Sequence, residues 1–205
     1  MAKCTEAACR QCRREGDKLF LKGDRCYSNK CAMMRRKGGP GQATGRRRRD
    51  SEYGKQLRAK QKTKRFYGVM EKQFRKTYRE AEKMHGITGE NLLQLLERRM
   101  DNVVYRLGFA ESRAQARQLV THGHFNLNGR RMDIASATLE AGDVITVREP
   151  SRKIQPFAEL EASSMVPDWL EMNFDKLEGK VSRLPARDDV DLNVEETLIV
   201  ELYSK

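Results

Sequence analysis

Four cysteines near the amino end have the spacing of a metal site. Two residues separate Cys9 from Cys12, thirteen more lead to Cys26, and four separate Cys26 from Cys31. Two close pairs, each on its own turn, can bring four sulfurs to a tetrahedral centre with metal–sulfur bonds of about 2.3 Å. With all four positions taken and none open to water, such a centre is structural and not catalytic. The intervening RREGDKLFLKGDR has only Leu19, Phe20 and Leu21 as an apolar run, so a metal would supply the folding energy. Arg10, Arg13, Arg14, Arg25, Lys30 and Arg35 would offset the double negative charge of four thiolates around a zinc ion. With no histidine nearby, zinc is the first reading. An iron–sulfur cluster takes the same ligands, and free thiols or disulfides are the plain alternatives. Cys4 is a fifth candidate for four seats.

The second chemistry is that of the guanidinium. Arg113 and Arg117 stand four apart, Arg130 and Arg131 follow Asn128-Gly129, and His122 and His124 flank Gly123. Read as a compact frame, Arg113, Arg117, His122, Asn128, Arg130 and Arg131 gather near one edge of a small sheet, with no partner carboxylate among them. Such forks suit phosphates, because each bonds two oxygens at a time. An ordinary solvated face is the alternative. Upstream, Arg46, Arg47, Arg48 and Arg49 lead into Lys55, Arg58, Lys60, Lys62, Lys64 and Arg65. Like charges so crowded repel one another and settle when phosphates neutralise them. Tyr53, Phe66 and Tyr67 are interleaved with them and serve either base stacking or helix packing. No nucleophile or carboxylate pair surrounds the histidines, so no active site is assigned.

These side chains need elements to position them. Ser112 with Gln115 three residues on reads as a capping box that opens a helix burying Ala116, Leu119 and Val120, with Arg113 and Arg117 pointing outward. Gly123 stops it, Phe125 and Leu127 alternate as a strand would, and Asn128-Gly129 is a strong hairpin signal. A further strand covers Val144 to Val147. Ahead of this frame, Met100, Val103, Val104 and Leu107 form an apolar helical stripe, with Arg98, Arg99 and Arg106 expected outside it. Asp101-Asn102 is a polar interruption that can bond backbone or arginine neighbours. Helices are also expected from Ser51 to Gly68, around Phe74, Tyr78 and Ala81, and from Thr88 through Leu92, Leu93, Leu95 and Leu96. Residues 169–174 and 181–184 are strand candidates, and Thr197 to Tyr203 alternates weakly.

The charge is divided unevenly. The 205 residues carry 41 basic and 29 acidic side chains, yet residues 1–65 hold 21 basic against 6 acidic, and residues 150–205 hold 7 against 12. The basic amino third calls for a polyanion, and the acidic carboxyl part for protein or solvent. No run approaches the ~18 apolar residues of a spanning helix, and MAKCTEAACRQC is too polar for a signal segment. The expected compartment is the cytosol, where thiols stay reduced.

The order SRAQARQLVTHGHFNLNGRRMDIAS…LEAGDVITV resembles a small RNA-binding module first described in a ribosomal protein. With RMDNVVYRLGFA ahead of it, the cysteine-bearing amino end and the closing TLIVELYSK, the whole chain is similar to the bacterial family of small ribosomal subunit protein four. That resemblance implies an α+β fold. A zinc-stapled segment 1–42 would precede a helical domain 43–92, completed by residues 176–205, with the module inserted at 93–175. It places the ligands at Cys9, Cys12, Cys26 and Cys31 and leaves Cys4 spare. It implies direct binding to small-subunit ribosomal RNA at a multi-helix junction, early in assembly. It also implies a place beside the path by which messenger RNA enters, a role in translational accuracy, and contact with neighbouring protein five. No enzymatic activity and no membrane partner go with it.

An RNA-modifying enzyme using the same module lacks room here for a catalytic domain. A zinc-dependent DNA reader lacks a recognition helix after the cysteines. On the sequence alone, replacing Arg113 and Arg117 together by alanine is expected to weaken RNA binding and leave the fold intact.

Overall fold

In the computed structural model, residues 5–36, 38–42, 51–158 and 166–204 are described. Cys4 and Arg46 to Arg49 lie outside the described residues. The chain divides into two compact units, one of residues 1–92 with 192–205 and one of residues 93–191.

Helix α1 (Ala8–Glu15) ends because Gly16 adopts the left-handed conformation at φ 79°, its N–H capping the Cys12 carbonyl. A single 3-10 turn carries Cys26, and the short α2 (Ala32–Arg35) begins directly after Cys31. Helix α3 (Glu52–Phe66) starts as its sequence dictates, the Ser51 hydroxyl accepting from the Gly54 N–H at 3.1 Å. Helix α4 (Glu71–Lys83) buries Phe74, Thr77, Tyr78 and Ala81 on one face. Helix α5 (Thr88–Glu97) follows Gly86. Phe66 and Tyr67 are buried and pack edge to face, so packing claims them, whereas Tyr53 is exposed.

In the second unit α6 (Met100–Arg106) and α7 (Arg113–Thr121) precede a hairpin of β1 (Phe125–Leu127) and β2 (Arg130–Met132), then β3 (Val144–Val147). The one-turn α8 (Gln155–Ala158) leads on to β4 (Leu170–Asn173) and β5 (Glu178–Val181). The sheet is antiparallel, in the order β2-β1-β3-β5-β4. Asn128 and Gly129 both hold positive φ, 49° and 78°, as the two-residue turn requires. Met100, Val103, Leu107, Val120, Phe125 and Ile145 are fully buried, and Phe109, Phe125 and Phe157 pack ring against ring. Gly179 in β5 lies against Leu107 so closely that an added Cβ would overlap the leucine methyls.

The last element is α9 (Glu196–Tyr203), which packs on α3 in the first unit. The weakly alternating Thr197 to Tyr203 is thus helical, and it packs the tail back onto a helix of its own unit. Ile199 turns inward, and the Tyr203 ring meets Phe74 at 6.2 Å and Tyr78 at 4.7 Å. The expected return to the helical domain at residue 176 moves to Leu192, because Glu178–Val181 is a strand paired with both β3 and β4. Among the described residues no helix is long and apolar enough to cross a membrane.

One carboxylate ties three elements of the first unit together. Glu71 at the start of α4 accepts from Lys60 at 2.9 Å and Lys64 at 3.0 Å on α3, and from the Tyr203 hydroxyl at 2.9 Å. Burial works to raise its pKa, but the two ammonium groups and the phenol outweigh this and hold it at about 2. The same burial and the Glu71 charge push the Tyr203 phenol up.

Because the folded pKa of Glu71 is depressed, its contribution is complete above the ordinary carboxyl value of 4.5 and disappears as pH falls toward 2. Urea titrations of wild type and Glu71→Gln should therefore differ most above pH 5 and converge toward pH 2. Gly179→Ala should cost about 1–3 kcal/mol by overpacking against Leu107, read as a lower urea midpoint at unchanged slope.

Candidate nucleic-acid interface

The basic edge of the second unit is organised by carboxylates that sit inside it. The α6 start is pinned from outside the helix, with the Met100 N–H donating to the Ala137 carbonyl at 2.8 Å and the Leu139 N–H to the Arg98 carbonyl at 2.9 Å. This aims the Asp101 carboxylate at two guanidiniums. Asp101 accepts from Arg99 at 3.1 and 2.8 Å, from Arg117 at 2.8 Å, and from the Asn102 N–H at 3.0 Å. Asn102 continues the network, donating to the Glu97 carboxylate at 2.6 Å and accepting from Arg113 Nε at 2.8 Å. Glu97, fully buried, accepts from Arg106 at 3.1 and 2.9 Å, and Arg106 also pairs with Asp191. Burial disfavours the Arg106 charge, yet Glu97 and Asp191 raise its pKa above the ordinary guanidinium value.

Several expectations change here. Arg113 does not point outward: it is buried, and its Cζ stands 4.4 Å from the centre of the Tyr105 ring. Arg99 and Arg106 are buried within the network and not outside the stripe. Arg113 and Arg117 do have acid or amide partners, so the group is not free of carboxylates. Arg98 donates to the Leu139 carbonyl at 2.7 Å and approaches Glu140 at 3.9 Å. The reason is common to all. A cation beside an apolar stripe can be buried when folding brings a carboxylate, amide or carbonyl acceptor against it. Replacing Arg113 and Arg117 together would thus disturb the fold as well as the surface, contrary to the expectation above. Asp101-Asn102 bonds arginine and backbone neighbours as its place in the sequence allowed, and Glu97 is the residue that arginine counting misses. An acid inside the apolar run NLLQLLERRMDNVV is the signal that exposes it.

The capping box is also shifted. Ser112 Oγ accepts from the Gln115 N–H at 3.3 Å, but Gln115 Oε1 accepts from the N–H of Glu111 at 3.0 Å, one residue earlier than expected. Asn128 is engaged structurally: its side chain donates to Asp143 at 2.8 Å and accepts from the Val144 N–H at 2.9 Å, locking the turn to β3.

What stays open is the outer hairpin strand. Arg130 and Arg131 are exposed on β2 and have no carboxylate within salt-bridge distance among the described residues. Gly123, at φ 75°, lets the Arg131 guanidinium lie against the backbone at the end of α7; a Cβ there would stand 2.7 Å from two of its nitrogens. His122 is exposed beside it, and its ring lies 6.0 Å from that of His124. His124 is held by Ser151 at 3.0 Å, while Arg148 donates to the Gly123 carbonyl at 3.1 Å. Burial, then the neighbouring His122 and Arg148, lower the His124 pKa, so it is neutral at pH 7. This corner presents Arg130 and Arg131, which no acid among the described residues neutralises.

In the first unit the α3 cations are mostly occupied. Arg58 and Arg65 both pair with Glu15, whose side chain is 1% exposed, and Lys62 pairs with Asp17 at 2.6 Å. Lys55 pairs with exposed Glu52 at 2.7 Å. The amino-terminal segment is thus fastened to α3 by charge. Cys9, Cys12, Cys26 and Cys31 are free thiols lining one cavity with Leu21 and Met33. Burial, and then the other cysteines, raise the Cys12 pKa, while the Lys22 N–H donates to Cys26 Sγ at 3.3 Å. The donors agree with a zinc centre in kind and number. Among the described residues, however, no three side chains are arranged to hold a metal ion as they stand. The expected zinc-stapled segment is therefore not supported by this geometry: the sulfurs face a common space without closing on a common point.

Two family models match the chain, the Ribosomal protein S4/S9 N-terminal domain over residues 3–97 and the S4 domain over residues 98–145. Fold and basic edge together thus define a ribosomal protein built around an RNA-binding S4 domain. The chain is 59% identical over 206 residues to small ribosomal subunit protein uS4 of Thermoanaerobacter sp. (strain X514), and 60% identical over 206 residues to protein uS4A of Clostridium perfringens (strain SM101 / Type A). In both cases all of each chain is covered. It belongs to the uS4 family of small ribosomal subunit proteins.

Asp101→Ala leaves Arg99 buried without its carboxylate and should cost about 3–5 kcal/mol. Arg130→Ala with Arg131→Ala should shift stability by no more than about 0.5 kcal/mol. Parallel urea melts distinguish a carboxylate that organises the edge from cations that only decorate it.

Proposed function

We propose that this chain is a structural constituent of the cytoplasmic small ribosomal subunit and not an enzyme. It binds small-subunit ribosomal RNA directly at a multi-helix junction and nucleates early assembly. The observation that carries this reading is the pair Arg130 and Arg131, exposed on a two-residue hairpin and without a carboxylate partner among the described residues, in a chain similar over its whole length to uS4 proteins. Arg117, His122, Arg130 and Arg131 act by geometry. Arg98, Arg99, Arg113 and Asn128 act by holding that edge in shape. Arg46 to Arg49, with Lys55, act by charge, and Arg58, Lys62 and Arg65 join them where a phosphate replaces Glu15 or Asp17. Recognition is by phosphate and shape, as folded RNA demands. The acidic carboxyl part suits protein contacts, protein five among them, and the chain lies beside the incoming messenger RNA, where it supports accuracy.

Zinc at Cys9, Cys12, Cys26 and Cys31 belongs to the same proposal, with an iron–sulfur cluster as the second choice. Four thiols on one cavity support it. The metal would cross-link two turns that have little apolar surface of their own.

Chain purified under reducing conditions should carry one zinc per molecule. It should bind small-subunit ribosomal RNA more tightly than an unrelated RNA of equal length, with a margin that survives added salt. Arg130→Ala with Arg131→Ala should reduce that margin about tenfold or more, at ~1–3 kcal/mol per well-placed contact. Equal affinity for both RNAs would refute specific recognition, and a metal-free chain of unchanged stability would refute the zinc centre.

A further inference from the structure

The outward face of α4 is a row of cations with no assigned task. Phe74, Thr77, Tyr78 and Ala81 take the inner face, and at 100° per residue Lys72, Arg75, Lys76, Arg79 and Lys83 fall together on the opposite one. All five are exposed. Only Lys76 has an acid partner among the described residues, exposed Glu80 at 3.7 Å, a weak pair in water. This contrasts with α3, where Lys60, Lys62 and Lys64 are each matched with a carboxylate of the same unit. The row also works against its own helix. Lys72 with Lys76, Arg75 with Arg79, and Arg79 with Lys83 are like charges at i,i+4, each destabilising in the free protein.

We infer that the outer face of α4 is a second phosphate-binding track that grips the backbone of an RNA strand by charge alone. The inference rests on the RNA-binding reading and extends it to residues outside the basic strap and the hairpin corner. From Lys72 to Lys83 the row runs about 16 Å at 1.5 Å per residue. That is long enough to follow several consecutive phosphates of one strand. No aromatic or amide side chain stands within the row to read a base, so the track is indifferent to sequence. A membrane surface fits less well, because the apolar side of the helix is buried in the unit and offers nothing to insert. Phosphates would neutralise the three repelling pairs at once.

The test compares two full-length triple variants that remove equal charge: Lys72→Ala/Arg75→Ala/Arg79→Ala on the track, and Lys153→Ala/Lys176→Ala/Lys180→Ala on exposed positions of the other unit. Binding to small-subunit ribosomal RNA is titrated across salt. The track variant should lose about two to three units of slope in log K against log salt, with a loss of about tenfold or more at low salt. Its melting temperature should hold or rise as the repulsion goes. The control should keep the wild-type slope. Swapping lysine and arginine (Lys72→Arg/Arg75→Lys/Arg79→Lys) should preserve binding, since charge and not fork geometry is used. A track variant that behaves like the control, while Arg130→Ala/Arg131→Ala still loses binding, would overturn this inference and leave the RNA reading standing. Wild-type binding by all variants would overturn both the track and the hairpin corner as RNA sites, and equal affinity of the wild type for an unrelated RNA would bring down the RNA reading itself. Loss of binding to vesicles of anionic lipid, with the RNA slope unchanged, would replace the track with a membrane contact.

Discussion

The buried carboxylate of Asp101 is the interaction on which the basic edge depends. An arginine packed beside an apolar stripe must either reach water or find an acid, because an unpaired charge in a core is far costlier than a paired one. Asp101 meets that need for Arg99 and Arg117 together, and Asn102 and Glu97 pass the same solution on to Arg113 and Arg106. The network fixes the angle between α6 and α7, since each helix supplies partners to the other. Arg117 can then face a ligand from a known orientation, without the entropy of a free side chain.

The basic residues consequently fall into two kinds. Some complete the fold: Arg58 and Arg65 on Glu15, Lys60 and Lys64 on Glu71, Arg106 on Glu97. Others, Arg130 and Arg131 above all, stand on the hairpin with no acid partner among the described residues, as a cation that meets a polyanion would. The division matters for salt dependence, because a cation held by an internal acid neutralises a phosphate only by giving up that partner, whereas one without such a partner is ready to displace the counterions of the nucleic acid. A simple count of lysines and arginines would overstate the interface.

The amino-terminal segment shows the same economy of means. It has little apolar surface, Leu19 being the one fully buried aliphatic side chain among its described residues. Its attachment to α3 comes from Glu15 and Asp17, acids set among many bases. A metal drawn in by the four thiols would order the turns, and the ion pairs would fasten them. The two devices act on different parts of the segment and do not compete.

Much was legible in the sequence because it rests on local chemistry. Ser112 as a cap, Ser51 as a helix start, Asn128-Gly129 as a turn, Gly123 as a stop, and the buried faces of α4 and α7 all follow from steric and hydrogen-bonding rules acting within a few residues. Tertiary structure alone decided which arginines go inside, because this depends on acids brought near by folding: Asp191 lies 85 positions from Arg106 and Glu15 fifty from Arg65. It also made the closing segment a helix, since TLIVELY can follow either period and only the ring packing of Tyr203 on Phe74 and Tyr78 settles it. The strand Glu178–Val181 escaped for a related reason: Gly179 weakens the strand signal, and its purpose shows only once Leu107 is seen to occupy the space of the missing side chain.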